Sequence, residues 1–272
     1  MLFSHARADI RERAELDLDE SGEELLSRLK GSLEVISKGR TAVLFSGGLD
    51  STLLTALAKP FTEIRLYTVG YPASHDLDAG RKGAEELGLP WEPILIDDAI
   101  LRGAVAYLRD RVGVTDPVTV SFEVPLYMVC ANVPEKVLLS GQGADELFGG
   151  YARYSSMSPA ELEQARAADL QSLLFGGFIR EVRMAQDLGK TLVCPYLDLP
   201  VVETALSIPS QELFGELGNK QPLRRLAMGM GLNAAKAPKK AAQYGSGVMK
   251  AMKRMANSEG KDLRQWVAEV KG

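Results

Sequence analysis

Residues 42–52 read Ala42-Val43-Leu44-Phe45-Ser46-Gly47-Gly48-Leu49-Asp50-Ser51-Thr52. An apolar run gives way to two glycines, then to hydroxyls and a carboxylate that open a helix over 52–58. The run predicts a buried strand, and the turn after it is shaped for phosphate. Glycines let main-chain N–H groups come close to an anion, Ser46, Ser51 and Thr52 add hydroxyl donors, and the helix N-terminus adds roughly half a positive charge. Asp50 would repel a phosphate unless a cation lay between them. Its presence points to magnesium, which takes one or two carboxylates and completes its shell with phosphate oxygens and water. No Gly-x-x-x-x-Gly-Lys-Ser/Thr loop occurs in the chain, which disfavours γ-phosphate transfer of that kind. The competing reading is a plain strand-to-helix turn, with glycines for geometry and serines as caps.

Working outward, 64–69 predicts a second strand, a helix runs through Leu87 with Asp76 placed to cap it and Gly88 to stop it, and 93–96 predicts a third strand. Helices are expected over 99–111 and 123–133, and a strand over 136–140 that ends in a second glycine-rich turn. Strands alternating with helices imply an α/β fold, a parallel sheet with flanking helices. Ahead of it, 5–38 reads as helix from the spacing of Leu25, Leu26, Leu29 and Leu33. Beyond Tyr151 the apolar spacing is helical, Ser158-Pro159 with Glu161 forms a capping box, and no strand is expected. The expected organisation is one domain over 1–272, with a helical N-terminal segment (1–38), an α/β nucleotide-binding core (39–151) and a helical section (152–272).

The bulk numbers narrow the function classes. At 272 residues, 46% hydrophobic and 25% charged, with a formal charge of −4, the chain has the profile of a soluble globular protein. The acidic balance argues against wrapping nucleic acid, and no apolar run is long enough to span a membrane. Cys130 and Cys194 lack Cys-x-x-Cys spacing and the chain has only His5 and His75, so neither a zinc cluster nor a disulfide framework is expected. The first residues run straight into the charged stretch Arg7 to Glu20 without the apolar segment of a secretory signal, and a cytoplasmic location is the expectation.

The second turn is Leu139-Ser140-Gly141-Gln142-Gly143-Ala144-Asp145-Glu146-Leu147-Phe148-Gly149-Gly150-Tyr151. In a parallel sheet both turns lie at the carboxyl edge, where open α/β sheets place ligands, and Asp50 and Asp145 then come within reach of one metal. Glu146 reads equally well as a charge favoured by a helix N-terminus.

Ser46-Gly47-Gly48-Leu49-Asp50-Ser51 matches in full the Ser-Gly-Gly-x-Asp-Ser signature of the PP-loop ATP-pyrophosphatases, and the second turn resembles the asparagine synthetase family within that superfamily. Thr68 to Asp76, Glu123-Val124-Pro125-Leu126-Tyr127, Cys194-Pro195-Tyr196-Leu197-Asp198, Ser207-Ile208-Pro209 and Asn219-Lys220-Gln221-Pro222-Leu223-Arg224 are similar to further segments of that family, over roughly residues 25 to 255. The resemblance implies an adenine nucleotide alpha-hydrolase-like fold and ATP with magnesium as cofactors. It implies adenylation of a small-molecule carboxylate with release of pyrophosphate, then acyl transfer to ammonia or an amine with release of AMP. It assigns ATP to Leu44, Ser46, Gly47, Gly48, Asp50, Ser51, Val69, Ser140 and Gly141, with Asp50 and Asp145 holding the metal and Asp145 also at the reacting centre. In Lys239-Lys240-Ala241-Ala242-Gln243-Tyr244-Gly245, a lysine six residues before the glycine matches the lysine that reaches the reacting centre in related synthetases. Lys239 fits that spacing, Lys240 is its rival, and a solvated basic face is the competing reading. Arg224 is a candidate substrate contact, with the same competing reading.

Three departures shape the expected function. Leu2 stands where glutamine-dependent synthetases place a cysteine nucleophile, and there is no room for a glutaminase domain before Ser46. Nitrogen is therefore expected from ammonia, another amine or a separate glutaminase subunit. Gln142 stands where asparagine-forming enzymes carry a glutamate, and Ser121 where they carry an arginine, so both are candidate substrate-determining positions. A changed acid or acceptor explains both, and so does a nucleotide-binding or regulatory subunit that no longer catalyses. A PP-loop enzyme acting on a urea or on tRNA is the remaining alternative. A homo-oligomer is left open.

Overall fold

The computed structural model describes residues 20–36, 39–237 and 245–272. Its centre is a five-stranded, wholly parallel sheet of order β3-β2-β1-β4-β5, formed by β1 (Arg40–Leu44), β2 (Glu63–Gly70), β3 (Trp91–Leu95), β4 (Val137–Leu139) and β5 (Thr191–Val193). Helices flank it, as the alternation of strand and helix patterns implies. The chain winds from β1 outward to β3, then returns to the opposite side of β1 with β4. The order therefore reverses between β1 and β4, and a crevice opens at their carboxyl ends. Val43 pairs with Leu139, which sets the two glycine-rich turns level with each other across that crevice.

The α-helices are α1 (Glu20–Glu34), α2 (Leu49–Ala58), α3 (His75–Leu87), α4 (Asp98–Tyr107), α5 (Pro117–Asn132), α6 (Ala144–Leu147), α7 (Pro159–Ser172), α8 (Phe178–Asp187), α9 (Leu199–Ser207), α10 (Gln221–Gly229), α11 (Val248–Ser258) and α12 (Leu263–Glu269). Two apolar layers hold the sheet. One contains Leu25, Leu29 and Leu33 of α1 with Val43, Leu53, Leu66 and Leu139, and the other contains Ala42, Tyr67, Val69, Leu138, Val124 and Met252. Alternate residues of each strand enter opposite layers, as the period-2 pleat requires. Among the described residues, no helix is long and apolar enough to cross a membrane.

Several boundaries differ from expectation for identifiable reasons. Ser74 is the N-cap of α3, which places Asp76 inside the first turn, and Gly88 ends the helix in the left-handed conformation at φ 61°. Helix α5 starts at Pro117, ahead of the expected 123, because Asp116 accepts from Thr119 N and the proline occupies the first helical turn. The stretch beyond Tyr151 contributes a strand after all. Thr191–Val193 pairs with Val137–Leu139 and closes the far edge of the sheet. A two-stranded hairpin, β6 (Phe214–Gly215) with β7 (Gly218–Asn219), follows. The expected capping box is formed: Ser158 Oγ accepts from Glu161 N, and Glu161 accepts from Ser158 N at 2.8 Å.

Candidate active site

The first turn is held by its neighbours. Phe45 N donates to Tyr67 O at 2.8 Å, Thr68 Oγ1 donates to Phe45 O at 2.5 Å, and Trp91 Nε1 donates to Thr68 Oγ1 at 2.8 Å. The end of β1 is thus fixed through β2 to β3. Gly47 has φ 69°, and a Cβ there would collide with the carbonyl of Ala79. Backbone conformation and space both require glycine. Ser46 Oγ lies 3.3 Å from Ser51 Oγ and accepts from Gly48 N at 3.3 Å. No side chain caps the N-terminus of α2, so its first amides face the crevice with their partial positive charge. Thr52 is fully buried, and its hydroxyl has no hydrogen-bond partner among the described residues. Leu44 and Val69 stand at the carboxyl ends of β1 and β2. The second turn abuts the first, and a Cβ on Gly141 would lie 3.2 Å from Asp50 Cβ.

Asp50 and Asp145, from the two turns, meet at one cation. That cation is the ammonium of Lys220, whose Nζ donates to Asp50 Oδ2 at 2.6 Å and is ion-paired with Asp145 Oδ1. The Lys220 side chain is 3% exposed, and the two carboxylates 29% and 31%. Burial alone would lower the lysine, but the facing charges of Asp50 and Asp145 outweigh it and hold the ammonium above its ordinary range. Lys220 occupies the N-cap of α10 with φ 57°, a left-handed conformation uncommon outside glycine. Gly150 permits the approach, since a Cβ there would strike Asp145 Oδ1 and sit 2.5 Å from Lys220 Cε. Asn219 Nδ2 fixes the same loop by donating to Gly150 O at 3.0 Å, and Tyr196 OH donates to Asp50 O at 3.3 Å.

This donor set fits a magnesium-bound triphosphate. Two carboxylates already converge on one cation at the mouth of an amide-lined turn, with Nζ standing where a shared ion would be neutralised, and the remaining ligands of such an ion would be phosphate and water oxygens. Among the described residues, no group of three or more His, Cys, Asp or Glu side chains gathers as a metal cage.

The other candidate positions fall in different places. Ser121 is buried, and its hydroxyl donates to Val118 O at 2.7 Å within its own helix. Arg224 is neither a solvated charge nor an open contact. Its Nε donates to Asn219 O at 2.7 Å and its Nη1 to Ala235 O and Ala237 O at 2.7 and 3.0 Å, so the guanidinium ties the Lys220 turn to the segment after α10. Lys239 and Lys240 lie outside the described residues. Gln142 reaches into a buried polar cluster, where its Nε2 donates to Glu181 Oε1 of α8 at 2.8 Å. Beside it Arg180 donates to Glu123 Oε1 of α5 through Nε at 2.9 Å and Nη2 at 2.5 Å. Glu146 lies in the first turn of α6, where a helix-end charge was one of its two readings, and it is buried and accepts from Tyr151 OH at 2.5 Å. Burial pushes its carboxyl above the ordinary range.

Comparison with known proteins follows the same lines. The family model described as Asparagine synthase matches residues 24–163 and 155–270. The chain belongs to the asparagine synthase family. Within that family it is 31% identical over 289 residues to a Methanocaldococcus jannaschii protein named as a glutamine-hydrolyzing asparagine synthetase, an alignment covering 90% of this chain and 53% of that protein. It is 26% identical over 226 residues to asparagine synthetase B, glutamine-hydrolyzing, of Escherichia coli, covering 76% of this chain and 41% of that protein. This asparagine synthase-family chain thus spans about half or less of the length of these two relatives. Among solved structures it is similar to NMN synthetase from Francisella tularensis, with 12% identity, a TM-score of 0.35, and coverage of 83% of this chain and 99% of that one.

Lys220 and Glu181 were not singled out from sequence. Lys220 stands in the quoted Asn219-to-Arg224 segment, and a lysine directly ahead of a Gln-Pro helix start was its one available signal.

Proposed function

We propose that this chain is an ATP-dependent, AMP-forming carboxylate–amine ligase. A carboxylate oxygen of the substrate attacks the α-phosphorus of ATP, the bond to the β-phosphate breaks, and pyrophosphate leaves. An amine then attacks the acyl carbon of the acyl-adenylate, and AMP departs with the electron pair of the broken carbon–oxygen bond. The observation that carries the reading is the convergence of Asp50 and Asp145 on one cation at the crevice between β1 and β4, supported by membership of the family.

Asp50 and Asp145 would hold magnesium, which when bound neutralises charge on the phosphates. The amides of the Ser46–Ser51 turn grip the pyrophosphate end, while main chain at Leu44, Val69 and Ser140-Gly141 receives the adenosine. Lys220, which stands beside both carboxylates, would set its ammonium against the departing pyrophosphate. One such donor is worth about 3 kcal/mol of barrier, roughly a hundredfold in rate. Lys239, or its neighbour Lys240, adds a second cation there. The acceptor is ammonia, delivered free or by a separate glutaminase subunit, or another amine. A cytoplasmic protein without a nucleic-acid partner fits this chemistry.

The test is ATP–pyrophosphate exchange across a panel of acids beginning with aspartate. The reading expects exchange that depends on one added acid and on magnesium. ATP binding without exchange for any acid would overturn it. It would instead favour a nucleotide-binding subunit, a second reading supported by Gln142 and by Ser121, whose hydroxyl is bonded within its own helix. Asp50→Asn separates the two: it abolishes AMP release in the enzyme and only weakens binding in such a subunit.

A further inference from the structure

Beside the second turn, α5 and α8 meet through a buried polar cluster whose charges cancel. Arg180 donates to Glu123 Oε1 through Nε and Nη2, and the Gln142 amide donates to Glu181 Oε1. Both glutamates are buried. Burial raises both carboxyls, Glu181 up to about 8 with the charge of Glu123 adding and that of Arg180 opposing, so at neutral pH the pair retains one proton. Two carboxyl groups, one retained proton and one guanidinium leave no net charge. The same contacts set the height of the two helices. Gln142 lies three residues beyond the end of β4, so its bond to Glu181 places the start of α8 at the carboxyl edge of the sheet. The Glu123–Arg180 pair places the first half of α5 level with it. The exposed neighbours along these stretches are apolar: Val118 and Phe122, one turn apart on α5, and Phe175 and Ile179, one turn apart at the start of α8. Phe122 and Phe175 are 43% and 75% exposed and are the two exposed phenylalanines among the described residues. Phe175 is carried by Leu173–Gly177, a π-helical turn between α7 and α8, and wide turns of this kind recur at functional sites. Exposed apolar side chains scattered singly need no explanation, but four on two helices in contact, at the ligand edge of a sheet, form a binding rim.

We propose that the acid activated by this chain is a monocarboxylate with an apolar body, aromatic or aliphatic, held against Phe122 and Phe175 with its carboxylate directed to the Asp50–Asp145 crevice. The proposal rests on the ligase reading above and names its substrate class. A neutral cluster offers an incoming ammonium or second carboxylate no opposite charge in exchange for its water, so amino acids and dicarboxylates would be desolvated without compensation. An apolar body gains from leaving water. Ser121, next to Phe122, has its hydroxyl proton engaged by Val118 O and gives none to a ligand. The covalent step is the one already described: a carboxylate oxygen bonds to the α-phosphorus, and pyrophosphate leaves with the electron pair of the broken phosphorus–oxygen bond. Specificity then comes from the part of the acid that does not react, in contact with the rim of α5 and α8.

The test measures ATP–pyrophosphate exchange by the full chain with magnesium. One arm runs the straight-chain acids from acetate to octanoate, a second takes benzoate, phenylacetate and phenylpropionate, and a third takes aspartate, glutamate and succinate. Along the apolar arms kcat/KM should rise about fourfold for each methylene that reaches the rim. Aspartate should fall about a hundredfold or more below the best apolar acid. Phe122→Ala and Phe175→Ala remove exposed side chains and leave the core intact, and each should raise the KM for that acid about tenfold with the KM for ATP unchanged. Phe122→Leu should restore most of that loss. A flat profile along both apolar arms, a preference for aspartate or succinate, or a KM for the acid indifferent to both alanine substitutions would overturn the proposal and leave the ligase reading standing. Exchange with no acid of any arm is a separate result that overturns the ligase reading and the substrate class with it.

Discussion

Replacing Lys220 with methionine removes one charge from a three-charge site and keeps most of the side-chain volume. The carboxylates of Asp50 and Asp145, which both touch Nζ in the wild type, are then left facing each other. Removing one partner of a buried ion pair costs about 3–5 kcal/mol. Both carboxylates keep nearly a third of their exposure and can draw in water, which places the expected loss at the lower end, about 3 kcal/mol. For a chain of this size that corresponds to a fall in Tm of roughly 6–12 °C. The pH dependence has a definite sign. The carboxylates hold the Lys220 ammonium above its ordinary value, so its contribution is complete below the ordinary lysine range and is lost as pH rises through the raised folded value. On the alkaline side wild type and K220M should therefore converge only in strong alkali, where the raised ammonium is finally lost. Thermal unfolding followed by circular dichroism, with and without magnesium, reads the effect. Magnesium should raise the Tm of K220M more than that of the wild type, because the vacated carboxylates bind it and binding to the folded state stabilises. Asp145→Asn placed in the K220M background should recover part of the loss. A K220M protein within about 0.5 kcal/mol of wild type, indifferent to magnesium, would refute the reasoning.

Two further substitutions probe the supports of the site. Gly47→Ala forces a side chain into a left-handed position against the Ala79 carbonyl, and should cost about 2 kcal/mol or more and weaken ATP binding in calorimetry; an unchanged Tm and affinity would contradict the tight-turn account. Arg166 is buried and donates to the carbonyls of Glu146, Leu147 and Ala205, so Arg166→Met should destabilise by about 3 kcal/mol or more by leaving those acceptors unpaired. Urea unfolding measures this, and a midpoint equal to wild type would contradict it.

What the sequence made legible was local. The β1 turn announced itself because an apolar run, two glycines and a helix start are contiguous, and the strand–helix alternation sufficed for a parallel sheet. Strand β5 escaped because Thr191-Leu192-Val193, set between Gly189-Lys190 and Cys194-Pro195, is too short for a periodic signal and becomes a strand only by pairing with β4. Lys220 escaped for a different reason. It is 170 residues from Asp50 in the chain, and nothing near it reports that folding carries it to the two carboxylates. Glu181 sits in Arg180-Glu181-Val182-Arg183, a pattern that reads as a solvated helix face until α5 and the β4 loop close over it. Arg224 was expected at a substrate or in solvent, and tertiary contacts with three carbonyls took it instead.

The most direct measurement is a crystal structure of the chain with manganese and α,β-methylene-ATP, in which the anomalous signal locates the ion. The account predicts a peak between the carboxylates of Asp50 and Asp145, phosphates against the Ser46–Ser51 amides, and Lys220 Nζ moved from the carboxylates to the phosphates. Nucleotide and ion bound elsewhere, with Lys220 still bridging Asp50 and Asp145, would contradict it.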